Sequence, residues 1–144
     1  GFLYELGSTA LSGIGPERIK RYIPHKTYCE MGIISAGGSD WSVTSPNVAQ
    51  QIYGAVTRKS NTGELIGKTQ AISVMDALKL YTINGAYATF EENIKGSIEP
   101  SKLADLVVLS KNLFEIPPKE ILTTKVLLTL VGGRIVHETA GINQ

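Results

Sequence analysis

Apolar residues in this chain come in short groups punctuated by Gly, Pro, Asn and Ser, and their spacing changes along the length. From Pro16 to about Glu30 the positions of Ile19 and Tyr22 predict a helix. Pro16 suits its first turn, and Pro24 breaks it by lacking a donor and crowding the preceding turn. Ile33 to Ala36 is short and apolar, runs into Gly37-Gly38-Ser39-Asp40, and predicts a strand buried on both faces. A loop over residues 41–47 leads to a helix from Val48 to Arg58, with Val48, Ile52, Ala55 and Val56 on one side and Asn47 as N-cap. Residues 59–70 are polar and predict a loop. Ser73 and Asp76 stand at capping-box spacing before the stripe Val74, Ala77, Leu78 and Tyr81. Thr82-Ile83-Asn84-Gly85 interrupts that stripe, and Asn84 is placed to cap a second short helix, Gly85 to Phe90.

Beyond Gly96 the period becomes that of strands. Ser97-Ile98 predicts a short strand and Leu106–Leu109 a longer one, while residues 112–118 are irregular. Val126–Val131, the pair Gly132-Gly133 and Arg134–Glu138 predict a hairpin, since two glycines supply the positive φ values of a tight turn. The last four residues are expected to be loose. A lone strand followed by helices does not make a parallel sheet, so either Ile33–Ala36 pairs with something outside the chain or it is not a strand.

Composition narrows the function classes. Apolar residues make up 42% and charged residues 19%, a globular balance. Fourteen Lys and Arg against thirteen Asp and Glu leave a formal charge of +1, which argues against a broad basic face for nucleic acid or anionic lipid. No stretch approaches the ~20 apolar residues of a membrane span. Residues 1–20 show no signal peptide, and the first residue, Gly1, leaves a processed chain or a cut piece as the expectation. One cysteine, Cys29, excludes an intrachain disulfide framework and any zinc site of several cysteines; it is compatible with the cytoplasm and leaves the compartment open.

Candidate chemistry centres on Asp40. A carboxylate after two glycines at the carboxyl end of a buried strand stands where α/β enzymes place their reactions, and it can contact a metal or accept a proton. The same Gly-Ser-Asp cluster is also ordinary turn chemistry. Trp41, the only tryptophan, lines a pocket or packs a loop. His25 and His137 have no ligand or carboxylate at a shared spacing, Cys29 reads as a small packed residue, and Arg58-Lys59 as a solvated pair. Neither Gly-Gly pair is followed by the Lys-Ser/Thr of a phosphate loop, and no Gly-x-Ser-x-Gly elbow is present.

Gly38-Ser39-Asp40-Trp41-Ser42-Val43 resembles the segment after the eighth barrel strand of the amidohydrolase superfamily, in the branch of N-acyl and N-substituted formamide hydrolases. That pattern carries a proline where Ser42 stands here. Ile52–Arg58, Asp76–Leu78 with Tyr81–Ala88, Gly96–Leu109 and the hairpin around Gly132-Gly133-Arg134 resemble later family segments in the same order. Upstream, Phe2-Leu3-Tyr4 and Gly15–Arg18 resemble the stretch between strands seven and eight. Ser101 replaces a usual glycine.

The resemblance implies an α/β plus β fold. Residues 1–94 would be the C-terminal portion of a (β/α)8 TIM barrel, with strand eight and its helices, and residues 95–144 part of an accompanying β-sandwich. It implies a divalent metal, zinc, in the full-length parent and none in this chain alone. Of the family's metal ligands only the aspartate after strand eight maps here, onto Asp40. Its implied role is metal contact and proton shuttle in hydrolysis of a C–N bond of a small amide-like substrate. The barrel cannot close within these residues, so the chain alone is expected to be inactive and to self-associate. The alternative is a non-catalytic binding or assembly module that keeps this fold.

Overall fold

The computed structural model describes residues 1–140, so the expectation of a loose terminus at residues 141–144 lies outside the described residues. Five helices lead into a three-stranded sheet: α1 (Phe2–Arg18), α2 (His25–Glu30), α3 (Val48–Thr57), α4 (Val74–Leu80), α5 (Ile83–Ala88), β1 (Leu106–Leu109), β2 (Val126–Val131) and β3 (Arg134–Glu138). Short 3₁₀ turns at Ile19–Arg21, Lys68–Gln70 and Pro118–Thr123 join them.

The first helix begins far earlier than Pro16. Leu3, Gly7, Ala10 and Leu11 form a helical stripe, and Leu3 closes a small core with Ile19 and Ile66. Gly7 belongs to that stripe because a Cβ there would lie 2.8 Å from Cγ1 of Ile66. Gly15 leaves the helical conformation at φ 79°, and Pro16 restarts it, which is the first-turn role its sequence position suits. Pro24 ends the next turn as expected, and α2 starts at His25.

Helix α3 follows its sequence signals. The Asn47 side chain accepts hydrogen bonds from the amides of Ala49 and Gln50, and the helix stops at Arg58 in the left-handed conformation. Ser73 caps α4 by accepting from the Asp76 amide, and its hydroxyl donates to the Asp76 carboxylate at 2.7 Å, so the aspartate completes the box despite its short reach. Ile52 and Ala55 of α3 meet Ala77 and Leu80 of α4, with Ile72, Leu113 and Ile121 completing this larger core. Ile121 enters from the 3₁₀ turn Pro118–Thr123, which lies just past the stretch that reads as irregular.

The sheet is antiparallel throughout, in the order β1-β2-β3. Gly132 and Gly133 take φ 56° and 78°, the double positive φ that a tight hairpin turn needs. The Gly132 amide donates to the Asp105 carboxylate at 2.7 Å, which locks the turn to the residue before β1. β3 is exposed along its whole length, Ile135 and Val136 included.

Several expectations are corrected. Residues 33–36 form no strand; among the described residues no strand pairs with them, and Ile33 and Ile34 are 47% and 52% exposed instead of doubly buried. Ser97-Ile98 is a bend with Ile98 in solvent, because it likewise lacks a ladder partner. Arg58 is not solvated but fully buried. Its guanidinium donates to the carbonyls of Tyr22 (2.6 Å), Ile23 (3.0 Å) and Ile66 (2.7 Å), joining two loops around one cation. Burial pulls its pKa down to about 10, so it remains charged at neutral pH. Cys29 is exposed, not packed.

Candidate active-site segment

Residues 32–44 carry Asp40, and they are held from outside their own stretch. Gly32 closes α2 at φ 69°, with its amide donating to the Cys29 carbonyl. From there the chain runs without a ladder, so each hydrogen bond to another element fixes its path. The Ile33 amide donates to the Tyr28 carbonyl at 2.9 Å, and the Gly37 amide to the Leu80 carbonyl at 2.8 Å. The Asn84 side-chain amide donates to the Ser35 carbonyl at 2.9 Å. The buried Thr44 hydroxyl donates to the Ser39 carbonyl. Beyond the turn, the Ser45 amide donates to the Glu5 carboxylate at 2.9 Å and its carbonyl accepts from Gln51 at 3.0 Å.

Gly37 is required by a close approach. A Cβ there would stand 2.5 Å from Cζ of Tyr81 and 2.8 Å from its hydroxyl oxygen, below any ordinary contact. Burial pushes the Tyr81 phenol up to about pKa 12, so the ring that backs Gly37 is neutral across the physiological range.

Asp40 follows with φ 51°, a left-handed conformation that aspartate tolerates better than most side chains. Its carbonyl accepts from the Val43 amide at 2.6 Å, closing a tight turn. Its side chain is exposed and receives no hydrogen bond or ion pair among the described residues. Trp41 is 71% exposed and Val43 is exposed beside it. The segment therefore presents a free carboxylate flanked by an indole and a branched aliphatic group. Such a carboxylate can accept and return a proton, or offer one ligand to a cation.

It does not make a metal site alone. Among the described residues no three His, Cys, Asp or Glu come together closely enough to hold a metal ion. His137 lies on exposed β3. His25 opens α2 with Nδ1 buried and unpartnered, and burial, then the Arg58 charge, lower its pKa to about 4. One donor does not fit a divalent cation, so these residues hold no metal by themselves. Two cavities, of about 540 and 510 Å3, are both lined by Leu78, Tyr81 and Thr82 and touch the sheet; neither is lined by Asp40. No helix among the described residues is long and apolar enough to cross a membrane.

The supports of the segment were harder to foresee than Asp40 itself. Asn84 reads as a helix cap, but Thr82 takes the N-cap position of α5 and Asn84 reaches back 49 residues to Ser35. The available signal was an Asn-Gly pair placed inside a helical stripe, where neither residue helps the helix.

Comparison with known proteins finds relatives along most of the chain. A Bacillus subtilis (strain 168) protein named as an amidohydrolase, YtcJ, is 33% identical over 128 residues, covering 87% of this chain and 24% of its own. The N-substituted formamide deformylase of Arthrobacter pascens is 30% identical over 129 residues, covering 90% of this chain and 24% of its own. The crystal structure of an amidohydrolase from Thermotoga maritima MSB8 superposes with a TM-score of 0.57 at 25% identity, covering 77% of this chain and 24% of that one. The chain thus spans about a quarter of the length of the curated relatives it matches. The model of the amidohydrolase family matches residues 4–137, nearly the whole chain, and the chain belongs to that family.

Proposed function

We propose that this chain is the carboxyl-terminal piece of a longer metal-dependent hydrolase that cleaves a C–N bond in a small amide-like substrate. Residues 1–94 then supply the last strand and helices of a barrel, and residues 95–144 part of a β-sandwich. The observation that carries the reading is Asp40: an exposed carboxylate without a side-chain partner, on a turn braced from three directions, inside a family match. In the whole protein Asp40 would contact the metal, zinc in this reading, and move a proton during hydrolysis; the remaining ligands would come from residues outside this chain. Trp41, exposed beside it, would line the substrate pocket. The names of two relatives, a formamide deformylase and 5-methylthioadenosine/S-adenosylhomocysteine deaminase of Teredinibacter turnerae, support C–N bond chemistry for the class.

The exposed apolar residues Ile33, Ile34, Val43, Ile135 and Val136 support the view that these surfaces meet protein in the whole enzyme and drive self-association of the isolated piece. The test is direct. The full-length protein should release amine from N-alkylformamides or N-acyl amines, and Asp40→Asn should abolish that release. Residues 1–144 alone with added zinc should show none. Turnover by the isolated residues that disappears in Asp40→Asn would overturn the fragment reading, and a fully active full-length Asp40→Asn would overturn the role of Asp40.

A further inference from the structure

Among the described residues the Asp40 side chain makes no hydrogen bond or ion pair that would orient it, so its direction is inherited from the backbone that leads into it. Among the described residues that backbone pairs with no strand. Between Ser35 and Gly37 it is held by one corner of the molecule, the junction of α4 and α5. Three contacts come from this corner within five residues of sequence. The Leu80 carbonyl accepts from the Gly37 amide, the Tyr81 ring fills the space over Gly37, and the Asn84 amide donates to the Ser35 carbonyl. The contacts alternate along the segment at residues 35 and 37, so they fix both its height and its rotation. A slip by one residue would put Ala36 or Gly38 over Tyr81 and reverse the faces. Ala36 carries the Cβ that the ring does not admit at residue 37.

We propose that Asn84 and Tyr81 are positioning residues for the reaction at Asp40, setting the register of residues 35–37 so that the carboxylate three residues later points at the substrate. This rests on the reading of Asp40 as the reacting carboxylate. Neither side chain touches substrate in the proposal. Asn84 supplies the donor, and Tyr81 supplies a wall that only glycine can approach. The interruption of the helical stripe at Thr82-Ile83-Asn84-Gly85 then has a purpose. The break between α4 and α5 puts Asn84 in the first turn of α5, from which its side-chain amide reaches Ser35.

The experiment uses the full-length protein, with N-butylformamide as probe and hydrogen exchange of the peptide covering residues 33–43 as a second readout. Asn84→Ala and Asn84→Asp, the latter isosteric but lacking the donor, should lower kcat roughly 10- to 100-fold with KM within about threefold, as expected for misplacement by about an ångström. Both should speed exchange over residues 33–43 while leaving the β2–β3 hairpin protected. Asn84→Gln, which keeps the amide, should recover part of both. If Asn84→Ala instead loosens the whole protein, a second pair decides. Gly37→Ala should lower kcat, and Gly37→Ala with Tyr81→Ala should regain at least part of it by removing the clash. Unchanged kcat and unchanged exchange in Asn84→Ala, or no recovery in the Gly37/Tyr81 pair, overturns the proposal. Normal turnover in Asp40→Asn overturns the underlying reading instead, so the two failures are told apart.

Discussion

Residues 48–80 and residues 31–43 are both rich in apolar side chains, yet they end in opposite environments. In the first stretch Ile52, Ala55, Ile66, Ala77 and Leu80 are buried, and the helix starts are satisfied by Asn47 and Ser73. In the second, Met31, Ile33, Ile34, Trp41 and Val43 face outward. The helices carry their own hydrogen bonds and need only a neighbour for one stripe. A strand needs a partner for its backbone as well as for its side chains. The difference teaches that the helical region is self-sufficient within this chain, whereas the Asp40 segment takes its order from others: from the α4–α5 corner and, in the proposed enzyme, from strands outside this chain as well.

The strongest way to break the self-sufficient region is through its one buried cation. Arg58→Ala leaves the carbonyls of Tyr22, Ile23 and Ile66 without their charged donor, and should cost about 3–5 kcal/mol in urea unfolding. Arg58→Lys should rescue little of it, because a single ammonium cannot span three carbonyls at the geometry of a planar guanidinium.

A paired measurement sharpens the contrast. Ile34→Ser should cost under about 0.5 kcal/mol in residues 1–144, where the side chain is half exposed, and about 2 kcal/mol or more in the full-length protein, where we propose it is covered. The same substitution should reduce self-association of the piece by light scattering. Equal costs in both settings would remove the distinction between the two regions.

Acid should reach the self-sufficient region through His25. Its folded pKa, about 4, lies below the ordinary 6.5, chiefly from burial and then from Arg58. The neutral form is therefore the one the fold favours. Its contribution is fully present above about pH 6.5 and is lost as pH falls toward 4, by about 2 kcal/mol once partial exposure is allowed for. His25→Asn should flatten that part of the stability–pH curve. The smallest effect is at a helix cap: Asn47→Ala should cost about 1 kcal/mol and leave the Asp40 segment undisturbed by hydrogen exchange.

What could be read in advance divides along the same line. The caps at Asn47 and Ser73 and the Gly132-Gly133 turn were legible because cause and effect lie within four residues of each other. The early part of α1 was obscured by Gly7, Ser8 and Thr9, poor helix formers, of which Gly7 packs closely on Ile66 and Ser8 bonds Ser60 in the loop after α3. Arg58 looked like an ordinary surface charge because two of its three partners, Tyr22 and Ile23, lie in a loop more than thirty residues earlier. Asp40 stood out as a carboxylate after an apolar run and two glycines, although the buried strand expected before it does not form here; its braces were not legible, since the Asn84–Ser35 and Tyr81–Gly37 contacts join residues more than forty positions apart.

The left-handed backbone at Asp40 has a consequence for what evolution or design can put there. With φ at 51°, the position admits glycine, asparagine and aspartate at little conformational cost, and penalises alanine, glutamate and branched residues by about 1–2 kcal/mol. A saturation library at position 40 should therefore separate into two axes. Asparagine and glycine would keep the turn and lose the acid. Glutamate would keep the acid on a longer arm and strain the turn. Aspartate alone satisfies both demands, so in the proposed enzyme the shape of the chain and its chemistry would select the same residue for unrelated reasons.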